Sequence, residues 1–373
     1  MDDSAPDPLE DTMTLSFDRR LSENPASPER RAEILAAPAF GTIFTDHMAV
    51  VDYSEEKGWH NARIEPYGPI SLDPAAAVFH YGQEIFEGLK AYKNAEGTVG
   101  LFRPEANAER LRRSAERLMM ADLPVDIFVD ACRELVDVEA EWIPTGPGES
   151  LYLRPFMIAT EAFLGIRPSK TYTFCVIASP AGNYFGGDVR PVKIWVEREY
   201  ARAGRGGTGA AKCGGNYASS LKPQVLAAQK GCDQVVYLDP LNDNAIEELG
   251  GMNVFFVVDG DTLVTPALSG SILEGITRSS ILTLAAEKGL AVEERKVTLD
   301  EFRELAASGR VSEVFACGTA AVVTPIGALY DGDDVIGDPD APAGPVTQQI
   351  REELLGIQTG AVEDRHGWVT RVR

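Results

Sequence analysis

A series of short strand-like segments in the second half of the chain constrains the fold more than any other feature. The segments VKIWVE (192–197), DQVVYL (233–238), NVFFVV (253–258) and SEVFACG (312–318) are rich in β-branched and aromatic residues, which favour strands. Only a few helix-like segments separate them, so the regular alternation of strand and helix that defines a doubly wound sheet is missing. We therefore predict an α/β or α+β domain built on a large, curled sheet.

The first half of the chain begins with helices and continues with strands. Residues 104–120 have apolar side chains at helical spacing and a proline in the first turn, and a second helix is predicted through 126–143. Strand-like runs at 150–160 and 171–179 precede a segment rich in Pro and Gly at 180–191, which is typical of a domain crossing. The predicted parts are a mobile acidic arm (1–30), a smaller N-terminal α/β domain (31–182), an interdomain loop (183–191) and a larger C-terminal domain (192–373).

Composition and charge exclude several classes of function. The chain has 373 residues, enough for two domains, and its net charge of −22 argues against a nucleic-acid or anionic-membrane surface. A small anionic ligand needs only a local positive pocket. The five cysteines form no CxxC pair and the four histidines are scattered, so we expect neither a disulfide framework nor a metal site. With no signal-like start and no apolar run of membrane-spanning length, we expect a soluble protein of a reducing cytoplasm.

The segment GRGGTGAAKCGGNYASSL (204–221) holds six glycines around one lysine. A phosphate-binding P-loop would need a lysine directly after Gly209, where Ala210 stands, so that interpretation is rejected. A dinucleotide-binding G-x-G-x-x-G pattern is present, but it needs a helix that begins at its third glycine. Such a helix would place Gly214 and Gly215 in its first turns, at a cost of roughly 1 kcal/mol each. We expect the helix to begin near Asn216 or Tyr217 instead.

A third interpretation of this segment is chemical. A flat ligand can approach Lys212 closely, because its neighbours have almost no side chain, and Tyr217 lies five residues on. A lysine whose amine is partly desolvated can bind a carbonyl compound as a Schiff base. A flexible surface loop with a solvated lysine explains the pattern of this segment equally well.

Other segments carry groups that could serve an anionic carbonyl ligand. A helix predicted to open after Gly275 would leave free N–H groups at Ile276 and Thr277, although an ordinary capped helix fits as well. Thr319 follows a strand, where a turn can present its hydroxyl to an anion. Glu248 precedes a predicted strand. Its carboxylate lies either at the exposed end of that strand or facing a ring nitrogen of a ligand.

Two further segments remain open on pattern alone. Arg110 lies on the helix of 104–120, where most arginines are solvated at the surface. YGQEIFEGLKAYK (81–93) mixes Tyr81 and Phe86 with Glu84, Glu87 and Lys90. It fits an aromatic pocket wall and a plain amphipathic segment equally well.

The order of several motifs gives the chain a family resemblance. The motifs are FEGLKAY, FRPEANAERLRRSAERL, LYLRPF, GTGAAKCGGNYASSL, IEELGGMNVFFV, LSGSILEGITRSSIL and FACGTAAVVTP. They recur in this order between residues 86 and 325, and the resemblance that they carry extends from about residue 39 to near the end of the chain. The chain resembles the branched-chain amino-acid aminotransferases of the fold-type IV pyridoxal-phosphate enzymes. The redox CxxC that vertebrate members carry after the last motif is absent here, which leaves no basis for that thiol switch.

The resemblance implies a pyridoxal 5'-phosphate site. Lys212 matches the Schiff-base lysine, Tyr217 the tyrosine that hydrogen-bonds the phenolic oxygen, and Glu248 the carboxylate that keeps the pyridine nitrogen protonated. Arg154 matches an arginine that accepts the distal carboxylate of glutamate. The implied phosphate-binding residues are Arg110, Ile276, Thr277 and Thr319. The other implied substrate-binding residues are Tyr81, Phe86, Tyr152, Tyr184, Thr319 and Ala320.

The resemblance also implies an activity and an assembly. The expected reaction is reversible, ping-pong transamination between leucine, isoleucine or valine and 2-oxoglutarate, in a homodimer. A D-amino-acid aminotransferase or an aminodeoxychorismate lyase would share the fold. A dinucleotide-dependent oxidoreductase and a non-catalytic binding or scaffold protein are the alternatives from other classes.

Overall fold

The computed structural model of the protein describes residues 15–182 and 190–373. The helices within these ranges are α1 (Pro28–Leu35), α2 (Ala77–Tyr81), α3 (Pro104–Arg117), α4 (Val125–Val138), α5 (Gly214–Gln229), α6 (Ile276–Glu287), α7 (Leu299–Ala307) and α8 (Pro345–Thr359). The first eight strands are β1 (Asp18–Arg19), β2 (His47–Ser54), β3 (Gly58–Pro66), β4 (Glu84–Phe86), β5 (Leu89–Lys93), β6 (Val99–Phe102), β7 (Ser150–Ala159) and β8 (Thr171–Ala181). The remaining strands are β9 (Val192–Glu197), β10 (Gln234–Asp239), β11 (Ala245–Leu249), β12 (Asn253–Val258), β13 (Thr262–Pro266), β14 (Ala291–Arg295), β15 (Val311–Gly318), β16 (Val322–Asp331), β17 (Asp334–Gly337) and β18 (Val369–Arg371).

The first sheet follows the order β1-β3-β2-β8-β7-β5-β6-β18, with β4 paired to β7. Helix α4 covers one face, because its buried residues Phe128, Ala131 and Leu135 recur at helical spacing and form an apolar stripe. Helix α3 packs beside α4 and reaches β4. The first half of the chain is thus a layer of helices on an almost wholly antiparallel sheet.

The second sheet follows the order β11-β10-β9-β16-β15-β12-β13-β14, with β17 paired to β16. Strand β9 is parallel to both β10 and β16, whereas β12 is antiparallel to β13 and β15. Strands β9 and β12 have the bounds expected from the sequence. Strand β10 is displaced from expectation by one residue at each end, and β15 begins one residue earlier than expected. The predicted large sheet with few intervening helices is confirmed.

The boundary between the two sheets falls where the sequence predicts a domain crossing. Residues through 181 build the first sheet, and residues from 192 to 337 build the second. The last strand, β18, returns to the first sheet and pairs with β6. The predicted division into domains at 31–182 and 192–373 stays a prediction, and most of the predicted loop at 183–191 lies outside the described residues.

Three helix boundaries differ from the sequence prediction. Helix α5 begins at Gly214 rather than near Asn216, because the Gly214 N–H donates to the Glu84 carboxylate and a Cβ at this position would lie 2.1 Å from it. Helix α3 ends at Arg117, and Met119 has a positive φ of 52°. The second predicted helix ends at Val138 and is followed by a 3₁₀ turn at Ala140–Trp142. In each case a local contact or turn outweighs intrinsic helix propensity.

In the described ranges, no helix combines the length and the apolar character needed to cross a bilayer.

Candidate active site

A cavity of about 580 Å³ lies between the two sheets. Strands β4 and β7 supply lining residues from the first sheet, and β11 and the start of α5 supply others from the second half of the chain. The implied site residues that line this cavity are Phe86, Arg110, Tyr152, Arg154, Lys212, Tyr217, Glu248, Ile276, Thr277, Thr319 and Ala320. Segments that are far apart in the sequence therefore meet around one space.

Lys212 is held in place by contacts of both its backbone and its amine. Its backbone is fixed on both sides, since its N–H donates to the Ser114 hydroxyl at 2.9 Å and its carbonyl accepts from the Phe86 N–H at 2.9 Å. The side-chain Nζ donates to the Tyr217 hydroxyl at 2.6 Å and lies 4.7 Å from the centre of the Phe86 ring. The amine is therefore directed into the cavity beside a phenol, and the interpretation of a solvated surface lysine is wrong.

The loop before Lys212 is fixed by the side chain of Asn216. Its amide nitrogen donates to the carbonyls of Thr208 and Ala211, both at 2.8 Å, and its amide oxygen accepts from the Thr208 hydroxyl at 2.7 Å. Asn216 is itself buried in the first turn of α5. Three hydrogen bonds from one side chain thus fix the loop to the helix that carries Tyr217.

The glycines before Lys212 shape this loop rather than the cavity. Gly207 closes a turn by donating to the Gly204 carbonyl at 2.9 Å, and Gly206 within it has a φ of +77°. Gly209 approaches the backbone of Ser271 so closely that a Cβ would lie 2.2 Å from the Ser271 oxygen. The expectation that these glycines clear space for a flat ligand is wrong. The glycines that line the cavity are Gly88, Gly250, Gly251, Gly275 and Gly318.

Glu248 lies buried in the wall of the cavity. One carboxylate oxygen lies 2.9 Å from Nη1 of Arg202 and accepts from the Leu273 N–H at 2.7 Å. Burial raises the pKa of Glu248 to about 7, although the nearby Arg202 charge acts in the opposite direction. The alternative of an exposed carboxylate at a strand end is wrong. Such a group can form a close ion pair with a cation in the cavity.

Sequence reasoning missed Arg202, the partner of Glu248. The Arg202 guanidinium is buried, and Nη1 also donates to the Ser271 carbonyl at 3.0 Å. Its Nε is buried without a hydrogen-bond partner among the described residues. Arg202 occurs in a run of Ala, Arg and Gly without helical or strand periodicity, so no local pattern distinguishes it from a surface arginine.

Arg110 is buried on α3, which contradicts the surface position expected from its helix pattern. Its Nε and Nη2 donate to the two carboxylate oxygens of Glu87 at 2.8 and 2.7 Å, and its Nη1 donates to the Glu274 carbonyl at 3.0 Å. Glu87 is fully buried, so this bidentate pair fixes the guanidinium at the cavity wall. The sequence contained Glu87 in FEGLKAY but gave no signal for the pairing.

The first turn of α6 also lines the cavity. The N–H groups of Ile276 and Thr277 have no partner within the helix, because they belong to its first turn. The N-cap residue, Gly275, has no side chain that could accept a hydrogen bond from them. A Cβ on Gly275 would lie 2.1 Å from the amide oxygen of Asn253, whose nitrogen donates to the Leu273 carbonyl at 3.0 Å. With Arg110 beside them and Thr319 on the same cavity, these amides form a cationic, donor-rich end suited to an anion.

An aromatic wall with one cation lies on the side of the first sheet. Arg154 donates from Nη2 to the Tyr152 hydroxyl at 3.1 Å, and its guanidinium lies 4.7 Å from the centre of the Phe86 ring. Its Nε is buried without a hydrogen-bond partner among the described residues. A Cβ on Gly88 would lie 2.2 Å from the Tyr152 hydroxyl. This wall combines apolar surface with a guanidinium that lines the cavity, and a guanidinium can pair with a carboxylate.

One implied pocket residue, Tyr81, is not among the residues that line the cavity. Tyr81 donates its hydroxyl to the Leu164 carbonyl and remains 39% exposed, away from the residues that line the cavity. Within one chain, Tyr81 therefore does not form part of the pocket wall, although the resemblance implies that it does. Tyr184 lies outside the described residues.

Comparisons with known proteins agree with this geometry. The model of the family described as amino-transferase class IV matches residues 84–329. A branched-chain-amino-acid aminotransferase of Mycolicibacterium smegmatis is 54% identical over 96% of this chain and 98% of its own length. The crystal structure of the Escherichia coli branched-chain amino acid aminotransferase has a TM-score of 0.73 at 28% identity, over 88% of this chain and 99% of that one. The branched-chain amino acid aminotransferase from Thermobaculum terrenum, in its PLP form, has a TM-score of 0.70 at 27% identity, over 88% and 98%.

The fold and the matched residues define the class first. Solved structures with this architecture are aminotransferases of fold type IV, so the fold implied by the resemblance is confirmed. The chain belongs to the class IV aminotransferases and, within them, to the branched-chain-amino-acid aminotransferases.

Proposed function

We propose that the cavity binds pyridoxal 5'-phosphate and that the chain transfers the amino group between branched-chain L-amino acids and 2-oxoglutarate. The observation that carries this proposal is that a lysine amine bonded to a phenol and a buried carboxylate line one cavity. The Lys212 amine donates to the Tyr217 hydroxyl at 2.6 Å, and the buried Glu248 carboxylate lines the same cavity. A lysine, a phenol and a buried carboxylate are the groups that such a cofactor requires.

The donor set fits this cofactor at each of its polar positions. Arg110 and the free amides of Ile276 and Thr277 suit the phosphate, with the Thr319 hydroxyl on the same cavity. Glu248 suits the protonated ring nitrogen, because a buried carboxylate with a raised pKa gains most from a cation beside it. When bound, the cofactor would supply an electron sink for the bond that breaks at the substrate's α-carbon.

The roles of the protein groups follow from their positions. Lys212 would hold the cofactor's aldehyde carbon and, once released by the incoming amino group, its amine would move the proton from the substrate's α-carbon. The Tyr217 hydroxyl orients that amine, because the two are hydrogen bonded and both backbones are fixed. Arg202 keeps the Glu248 carboxylate oriented through its contact at 2.9 Å.

The substrate wall supports a dual specificity. The rings of Phe86 and Tyr152 offer apolar surface to a branched aliphatic side chain. Arg154, which lines the same cavity, offers a cation to the distal carboxylate of 2-oxoglutarate. One pocket can thus accept both partners of a ping-pong reaction.

A homodimer belongs to the same proposal. Large apolar side chains lie exposed near Tyr81, and the clearest are Phe79 (61% exposed), Leu164 (67%) and Ile166 (94%). Apolar groups gathered in this way favour a protein partner. We also propose the cytoplasmic location that is expected from the cysteine usage.

A panel of amino donors tests the proposed activity. With 2-oxoglutarate as acceptor, L-leucine, L-isoleucine and L-valine should each give L-glutamate. D-alanine and D-leucine should give none. Activity with the D-enantiomers alone would favour the D-amino-acid aminotransferase instead, and oxidation of substrate only on addition of NAD or NADP would favour the oxidoreductase.

A further inference from the structure

The N-terminal end of α5 is held by an acidic side chain from the first half of the chain. Helix α5 begins at Gly214, two residues after Lys212, and Tyr217 lies in its first turn. The N-cap residue, Cys213, forms no side-chain capping bond, and the first turn contains no acidic residue. The carboxylate that accepts from the Gly214 N–H belongs instead to Glu84, 130 positions away in the sequence. An anionic acceptor at this end of a helix pairs with a free N–H group and interacts favourably with the helix dipole.

Strand β4, which carries Glu84, contacts the segment around Lys212 at two further points. Glu84 and Phe86 are the two ends of β4, and their side chains lie on the same face of the strand. The Phe86 N–H donates to the Lys212 carbonyl at 2.9 Å, and the Phe86 ring lies 4.8 Å from the Tyr217 ring. Because β4 is itself paired with β7, these contacts fix the lysine and the tyrosine relative to the first sheet.

The glycine at position 214 is explained by this acidic partner. A Cβ on Gly214 would have three atoms of Glu84 as its nearest neighbours, with a carboxylate oxygen at 2.1 Å. A Cβ on the next residue, Gly215, would have no neighbouring atom within 4 Å. Glycine is unfavourable within a helix, so its presence at the start of α5 follows from the close approach of Glu84.

The Glu84 carboxylate is half-buried and also interacts with Arg154. Burial raises the pKa of Glu84, whereas the Gly214 N–H and the Arg154 charge act in the opposite direction. A substitution of Glu84 can therefore release the Gly214 N–H and also remove a charge near Arg154. The two effects are separable, because glutamine keeps the acceptor oxygen without the charge, and methionine of similar length keeps neither.

We propose that Glu84 is a positioning residue for the Lys212 amine. By accepting from the Gly214 N–H, its carboxylate fixes the start of α5 and so holds the Tyr217 hydroxyl against that amine. The proposal rests on the proposed function, in which the same amine moves the substrate proton. The bond of 2.6 Å between amine and hydroxyl joins side chains on either side of the helix start, so a rotation of the first turn would separate them. The backbone bonds of the lysine do not involve Glu84, so its loss would disturb the pairing rather than detach the lysine.

Hydrogen exchange in Glu84→Gln and Glu84→Met tests the contact itself. Exchange of the Gly214 amide is measured at single-residue resolution by mass spectrometry, with and without pyridoxal 5'-phosphate. In Glu84→Met it should be about tenfold or more faster than in the wild type, the size expected for losing a hydrogen bond to a charged group. In Glu84→Gln, which keeps an acceptor, the increase should be clearly smaller.

The same two variants test the consequence for the proposed reaction. In Glu84→Met, kcat with L-leucine and 2-oxoglutarate should fall about tenfold or more, because a small misplacement of a reacting group has a large effect on rate. KM for L-leucine should change much less, because the substituted side chain is not among the residues that line the cavity. Glu84→Gln should restore most of the wild-type kcat. Both variants lack the charge, so the difference between them reports the acceptor alone.

A double-mutant cycle tests the pairing of Glu84 with Gly214 through stability. In the wild-type background, Gly214→Ala should lower the urea concentration at the midpoint of unfolding, because its Cβ would displace the carboxylate from the helix start. In the Glu84→Ala background that obstruction is absent, and the same substitution should raise the midpoint, because alanine is favoured over glycine in a helix. Gly215→Ala is the matched control, and its effect should be the same in both backgrounds.

Two results overturn the proposal. Equal kcat values in Glu84→Gln and Glu84→Met would show that the acceptor does not position the amine. An effect of Gly214→Ala that is the same in both backgrounds would show that Glu84 does not fix the start of α5. Failure of the proposed function is distinguishable, because the wild-type protein would then lack the visible absorbance of a bound cofactor. Hydrogen exchange and the double-mutant cycle, measured on the cofactor-free protein, would still report the role of Glu84.

Discussion

Replacing Glu248 by glutamine tests the electrostatics of the site in the cofactor-free protein. Burial raises the pKa of this carboxyl from an ordinary 4.5 to about 7. The folded state then binds its proton more tightly than the unfolded state does. The stability that this proton contributes is fully present below pH 4.5 and is lost as the pH rises through 7.

The size of the effect follows from the shift in pKa. One pKa unit corresponds to about 1.36 kcal/mol, so the shift of Glu248 amounts to about 3 kcal/mol. Glutamine does not titrate. The free energy of unfolding of the wild type minus that of Glu248→Gln should therefore fall by about 3 kcal/mol between pH 4.5 and 8. The difference between the two proteins cancels the titrations that they share.

Urea denaturation at a series of pH values, with both proteins at one concentration, measures this difference. Asp331→Asn is the control, because hydrogen bonds from Arg198 and Arg303 lower the pKa of Asp331 below 3.8. The free energy of unfolding of the wild type minus that of Asp331→Asn should therefore stay constant between pH 4.5 and 8. If the free energy of unfolding of the wild type minus that of Glu248→Gln stays constant or rises with pH, the conclusion that burial has a larger effect on the pKa of Glu248 than the Arg202 charge is refuted.

Three further substitutions test other parts of the site. Gly88→Ala should lower the free energy of unfolding by about 1–3 kcal/mol in urea denaturation, because its Cβ would lie 2.2 Å from the Tyr152 hydroxyl. Gly215 lies on α5, and a Cβ added there would have no neighbouring atom within 4 Å. Gly215→Ala should therefore raise the free energy of unfolding, by up to about 1 kcal/mol. Arg154→Leu should raise KM for 2-oxoglutarate by at least tenfold while changing KM for L-leucine much less, since only the former has a distal carboxylate. Equal changes in both KM values would contradict that role.

The sequence predicts β9, β10, β12 and β15 of the second sheet to within one residue at each end, because their β-branched and aromatic runs are continuous. The bounds of β9 and β12 agree with expectation for this reason. The start of α5 was less predictable. Gly214 is unfavourable in a helix on its own, and the contact with Glu84 that requires a glycine comes from a residue 130 positions away.

The polar framework of the site was the least predictable part. Arg110 and Glu87 are 23 positions apart, and no periodicity couples a residue of α3 to the segment between β4 and β5. Arg202 contacts Glu248 from a segment with no regular pattern. The residues that hold Lys212, Tyr217 and Glu248 in place depend on tertiary contacts, whereas the three residues themselves belong to motifs that could be matched from sequence.

Borohydride reduction followed by peptide mapping tests the central claim most directly. The purified protein, loaded with pyridoxal 5'-phosphate, is reduced and digested, and the modified peptide is identified by mass spectrometry. We predict loss of the visible absorbance and a phosphopyridoxyl group on Lys212, with none at that site in Lys212→Ala, which should also lack transaminase activity. Modification of another lysine at full activity, or an active Lys212→Ala variant, would contradict the assignment of Lys212.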